Sequence, residues 1–175
     1  LSAEAAAWYA TPFDLVIRIA VLGQAVVASA FPAMATALAA PRETETGEAA
    51  GRLFRHAMLG IAAMVLPPCL VCVLLADTLL TLWLGADFAA HARLPMQILA
   101  AGVVLHALDG VATALIDGAG RSARNALLAL ADLAIYLPLL LALLSAHGIA
   151  GAAAAWSARA LFTLAARHAL ARGAA

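Results

Sequence analysis

Apolar residues run almost without interruption through five stretches of this chain: Pro12–Leu38, Ala57–Leu84, Leu94–Ile116, Asn125–Ala146 and Ile149–Ala166. Neither the alternation of a half-buried strand nor the one-sided stripe of a soluble helix interrupts them. Crossing a hydrocarbon core of ~30 Å takes ~20 helical residues at 1.5 Å each, so the runs read as transmembrane helices. The gaps between them are short, and the longest is built around the polar segment Pro41–Arg52, which reads as a solvated interhelical loop. The pattern predicts an all-α fold: a polytopic membrane helix bundle of about five transmembrane helices, forming a single transmembrane domain over residues 1–175.

Local signals refine these helices. Pro12 suits a first helical turn, where its missing N–H costs nothing. Pro67 and Pro68 fall mid-run and predict a kink near the bilayer centre, as does Pro138 in the fourth run; Pro32 lies near the end of the first. The stretch from Gly148 to Ala155 is built of Gly and Ala apart from Ile149. Small residues at helical spacing let backbones approach closely, which predicts a tightly packed bundle.

Composition turns the reading from plausible to necessary. The chain is 66% hydrophobic and 11% charged, with a mean hydropathy of +1.00, whereas soluble domains carry about a quarter charged residues. A soluble fold of this size leaves about a third of its unfolded-chain surface accessible, too much for so apolar a chain. Lipid is the solvent implied, and no basic patch suggests nucleic acid. The ten basic residues are all Arg, and outside the runs they are sorted. Arg42, Arg52 and Arg55 follow the first run, Arg121 and Arg124 the third, and Arg167 and Arg172 the fifth; the opposite gaps hold Arg93 alone. Because basic residues accumulate on the cytoplasmic side, the C-terminus is expected there and Leu1 on the far side. Leu1–Ala10 has no basic n-region and does not read as a signal peptide. Five spans starting in mid-topology suggest the C-terminal piece of a longer protein.

Polar residues stranded inside the runs are the candidates for chemistry. Asp14 and Arg18, four apart, share a helix face and can pair, at a depth from which Arg18 can still snorkel to the interface. Gln24 lies deeper in the same run. Arg159 sits ~15 Å into the last run and cannot shed its charge, so it requires a carboxylate, water or an anionic ligand. Asp109, Asp132 and His106 are the available partners, and His106 and Asp109 share a face. Two readings stand side by side: Arg18 and Arg159 line a cation-rich inner surface, or Arg159 and Asp132 form a structural pair. Cys69 and Cys72 have CxxC spacing, but among leucines and valines they read as small hydrophobes. Five scattered histidines form no metal-ligand cluster. Asp77 and Asp87 read as helix caps or water-facing acids. No nucleophile, phosphate loop or carboxylate pair emerges, so no enzyme, cofactor or metal is expected.

Several motifs occur in an order that resembles a known family. Glu4-Ala5-Ala6-Ala7-Trp8-Tyr9-Ala10-Thr11-Pro12-Phe13-Asp14-Leu15-Val16-Ile17-Arg18, followed by Ala30-Phe31-Pro32-Ala33-Met34, is similar to the eighth-helix region of oligosaccharide flippases. Further along come Leu82-Trp83-Leu84-Gly85-Ala86-Asp87-Phe88, Gln97-Ile98-Leu99-Ala100-Ala101-Gly102, Gly118-Ala119-Gly120-Arg121 and Gly148-Ile149-Ala150-Gly151-Ala152-Ala153. The set resembles polysaccharide and O-antigen flippases of the superfamily that also contains multidrug and toxin extrusion (MATE) proteins. The resemblance implies a twelve-helix inner-membrane transporter of two halves, with this chain similar to helices eight to twelve and lacking the N-terminal partner half. It implies alternating access that carries an undecaprenyl-pyrophosphate-linked oligosaccharide between leaflets for lipopolysaccharide or other polysaccharide synthesis. By that resemblance Arg18 and Arg159 attract the anionic head group, while Asp14, Asp109 and Asp132 pair with them or serve a coupling cation. A cation-coupled drug exporter of the same superfamily, and a non-transporting membrane fragment or assembly subunit, are the alternatives.

Overall fold

The computed structural model describes residues 2–39 and 44–172, and the described residues are almost wholly helical. Five helices follow one another: α1 (Ala3–Ala39), α2 (Thr44–Leu74), α3 (Ala76–Leu84), α4 (Ala86–Gly118) and α5 (Ser122–Arg172). Four segments are long and apolar enough to cross a membrane: Ala3–Ala25, Phe54–Leu74, Ala86–Gly118 and Ser122–Leu170. The chain is an all-α membrane bundle, as its hydrophobic pattern predicts.

The longest helix has to fold. Straight, the 51 residues of α5 would extend ~77 Å, more than twice a ~30 Å hydrocarbon core. At Gly148 the backbone leaves the helix (φ 59°, ψ −141°), a left-handed conformation open to glycine at little cost. The two arms, residues 122–147 and 149–172, return antiparallel, so that Arg159 meets Asp132 and Arg167 meets Asn125. The glycine and alanine run lies just after this corner, and Gly151, Ala152, Ala153 and Ala155 are buried, in keeping with close packing.

The core is organised around α4, which packs against every other helix. Most of the apolar stretch of α4 is buried while the first arm of α5 is mostly exposed, so α4 is the axis and that arm the outer wall. Met96, Leu99, Val103 and Val111 of α4 are buried against Val16 of α1 and Ile61 and Val65 of α2. The outward face of α5's first arm exposes Leu127, Leu130, Leu133, Leu137 and Leu141, a surface suited to acyl chains. Trp8 stacks on His91 at one end of the bundle, and Phe54 stacks on His168 at the other. The sorted arginines follow the same division. Arg52, Arg55, Arg121, Arg124 and Arg167 lie toward the second end and Arg93 toward the first, while Arg42 is outside the described residues.

Several boundaries depart from the expected ones. The helix holding Pro12 begins at Ala3, so this buried proline lies two turns inside α1. Most of the segment read as a loop is helical, since α2 begins at Thr44 and carries Arg52 within it; residues 40–43 lie outside the described residues. The second run breaks at Leu75, while Pro67 and Pro68 both sit inside α2. Phe54–Leu74 alone supplies 21 residues, ~31 Å of helix, enough for one crossing before the break. Gln97 of α4 reaches across to this break and donates its side-chain N–H to the Val73 carbonyl at 2.8 Å. That carbonyl loses its helical partner when the chain bends, and a buried orphan would be costly. Asp77 and Asp87 stand in the first turns of α3 and α4, where carboxylates favour the helix dipole. They make no side-chain cap, the N-cap positions being Leu75 and Gly85.

Candidate functional site: a charge-paired cleft between α1, α4 and α5

Helices α1 and α5 both lie along α4 but touch each other little, and the space left between them is a cavity of about 350 Å³. Gln24 of α1, His106, Asp109 and Thr113 of α4, and Trp156, Arg159, Thr163 and Arg167 of α5 line it. The spacing explains the convergence. His106, Asp109 and Thr113 recur every three or four residues along α4, as do Trp156, Arg159, Thr163 and Arg167 along α5's second arm, so each set forms one helix face.

Both arginines of the cleft are held by carboxylates. Arg159 donates from Nε to Asp132 Oδ2 at 2.7 Å across the α5 hairpin. Its guanidinium carbon lies 5.1 Å from the centre of the Tyr136 ring, within cation–π range. The Asp132 side chain is 6% exposed while that of Arg159 is 40% exposed, so the acid anchors the base from behind and leaves it facing the cleft. The structural pair expected as one of two readings is therefore present, and it does not remove Arg159 from the cavity wall.

Arg167 pairs with Asp109 of α4, a second ion pair of which both side chains are largely buried. From Nε it also donates to Asn125 Oδ1 at 2.9 Å, and Asn125 in turn donates to Asp117 Oδ1 at 3.2 Å. The chain Asp109–Arg167–Asn125–Asp117 thus ties α4 to both arms of α5. Asp109 accepts through Oδ2; its other oxygen, Oδ1, is buried and has no hydrogen-bond partner among the described residues. Residue counting assigned Arg167 to a loop beyond the fifth run. It stands within α5 instead, ~28 Å along the second arm from Gly148, and its partner comes from a helix 58 positions earlier.

Trp156 forms the aromatic part of the wall. Phe13 meets it edge-on at 5.3 Å and an interplanar angle of 85°, and His106 lies 5.8 Å away. It comes this close to α4 because of Gly102: a Cβ there would sit 2.3 Å from Ser157 Oγ and 2.8 Å from the indole. Ser157 uses the same approach to donate to the Ile98 carbonyl at 2.9 Å.

The other two candidates lie elsewhere. Asp14 and Arg18 form the i,i+4 ion pair expected of them, at 3.1 Å, but their side chains are 69% and 75% exposed. They edge a shallow depression with Tyr9, Phe13 and Trp83, apart from the cleft holding Arg159. Of the five proposed substrate contacts, Asp109 and Arg159 come together at the cavity, Asp132 supports Arg159 from behind, and Asp14 and Arg18 do not join them. Cys69 and Cys72 are free and buried, as small hydrophobes would be. No group of three or more metal-ligating side chains occurs among the described residues.

No protein-family model matches the chain, and no solved structure matches it. Among curated proteins it is 23% identical over 159 residues to a Shigella flexneri protein named "Putative O-antigen transporter". The similarity covers 91% of this chain and 36% of that protein, so the chain spans about a third of its relative's length.

Proposed function

We propose that this chain is the C-terminal part of a flippase that carries a lipid-linked oligosaccharide across the bacterial inner membrane for polysaccharide synthesis. The observation that carries the reading is the similarity to the Shigella protein, which runs through 91% of the chain. The geometry supports it: a multi-pass bundle holds a cleft of about 350 Å³ lined by charged and hydrogen-bonding side chains, a place for a hydrophilic head group that lipid will not dissolve. In this reading the arginine-rich end faces the cytoplasm, helices of the remaining two thirds close the cleft, and alternating access exposes it to each leaflet in turn. Arg159 is the substrate contact on the cleft wall, and Arg18 a contact near the opposite end of the bundle.

The test is translocation of lipid-linked oligosaccharide by the full-length protein in vesicles. Arg159→Ala at normal expression is expected to lower transport by at least tenfold, a loss of about 1.4 kcal/mol of differential stabilisation. Unchanged transport would remove Arg159 from the mechanism, and a full-length protein that moves no such lipid would overturn the assignment.

A further inference from the structure

The cleft contains two arginines yet has no surplus of positive charge from them. Arg159 is matched by Asp132 and Arg167 by Asp109, and both carboxylates are less than a tenth exposed. Each arginine is already neutralised by its carboxylate, so an anion on its remaining nitrogens gains no net charge, and one that drew the arginine away would strand a buried carboxylate, a penalty on the order of 10²- to 10³-fold in affinity. The pairing therefore works against phosphate, although the same arginines, read from sequence alone, invite it.

What remains available on the walls is hydrogen bonding without net charge, beside an aromatic ring. Gln24 and Thr113 supply an amide and a hydroxyl, and Arg159 has N–H groups beyond the Nε that Asp132 occupies. Asp109 Oδ1 is buried beside the cleft without a hydrogen-bond partner among the described residues. A buried acceptor without a donor is unusual and marks a place where a ligand hydroxyl gains more than it would in water. Trp156 adds an apolar face. Donors and acceptors interleaved around an indole match a sugar ring, whose hydroxyls each donate and accept while its C–H face is apolar. At about 350 Å³ the cavity lies at the small end of ligand pockets, ~300–1,000 Å³, with room for one ring and not a chain.

We infer that the cleft between Gln24, Asp109, Thr113, Trp156 and Arg159 binds an uncharged sugar ring and excludes phosphate, its ion pairs serving to cancel the charge of its arginines. The inference rests on the flippase reading and narrows it: this cleft takes the sugar portion of the head group, and the pyrophosphate sits outside it.

Protection of an introduced cysteine tests the assignment. Thr113→Cys, with Gln24→Cys as a second reporter, is placed in the full-length protein in vesicles and labelled with methyl methanethiosulfonate. N-acetylglucosamine is expected to slow labelling about threefold at twice its Kd, following 1 + [L]/Kd, while inorganic pyrophosphate leaves the rate unchanged. In Asp132→Asn, where Arg159 loses its counter-charge, pyrophosphate is expected to become protective. Protection by pyrophosphate without that substitution, or none by the sugar at either reporter, overturns the inference. Transport by vesicles of the unsubstituted full-length protein separates the two ideas. Sugar protection without lipid-linked oligosaccharide transport sinks the flippase reading alone, and transport with protection only by pyrophosphate sinks the sugar site alone.

Discussion

Arg167 and Asp109 face each other across 58 positions of sequence, joining the second arm of α5 to the central helix α4. With side chains only 14% and 7% exposed, neither can be relieved by water when the other is removed. Arg167→Ala or Asp109→Ala in the full-length protein is expected to cost about 3–5 kcal/mol, the usual result of stranding one half of a buried pair. Thermal unfolding in detergent measures it. The exchange Asp109→Arg with Arg167→Asp should recover part of the loss, and an equal loss in the double exchange would show that packing, not pairing, dominates there.

Two glycines are expected to resist alanine for different reasons. Nothing lies within 4 Å of a Cβ built on Gly148, so the cost there is the positive-φ backbone alone, about 1–3 kcal/mol. At Gly102 the backbone is helical, but the new methyl would collide with Ser157 and Trp156, and overpacking of this kind costs about 1–3 kcal/mol. The two are separable spectroscopically: Gly102→Ala should change the tryptophan fluorescence of the bundle, and Gly148→Ala should leave it nearly unaltered.

Gln97→Leu keeps the volume and removes the donor that satisfies the Val73 carbonyl at the α2–α3 break. An unsatisfied buried acceptor costs about 1–3 kcal/mol. Hydrogen exchange of the amides of residues 75–79 should rise in this variant. Unchanged protection would mean that another group holds the break.

Arg18→Ala should barely affect the fold. Its partner Asp14 is 69% exposed and Arg18 itself 75% exposed, and open ion pairs contribute about 0–1 kcal/mol before screening. A normal melting temperature with reduced transport would make Arg18 a substrate contact; a large drop in stability would contradict its exposed position.

What the sequence disclosed and what it hid follow from range. The spans were legible because each is a local property of ~20 residues, and the Asp14–Arg18 pair because it lies within one turn. Leu75 was not legible as a break, since nothing in Leu74-Leu75-Ala76 is a helix breaker and the adjacent Pro67-Pro68 gave the stronger local signal; the helix runs through both prolines. Arg167 was missed because its position near the end of the last run is where topology arginines also occur, and only the fold brings Asp109 beside it. The choice between Arg159 as an ion-pair partner and as a cleft residue dissolved for a geometric reason: an arginine can give its Nε to one neighbour and keep its outer nitrogens for another.

Gly148 has a consequence beyond local geometry. A chain that crosses a bilayer an even number of times finishes in the compartment where it started, and an odd number leaves it in the other. α1, α2, α4 and α5 hold the four segments long and apolar enough to cross, and the reversal at Gly148 divides the last of them into two antiparallel arms. The last turns of α5, with Arg167, thereby return to the end of the bundle opposite the start of α1. A residue without a side chain decides at which end of the bundle the last helix finishes.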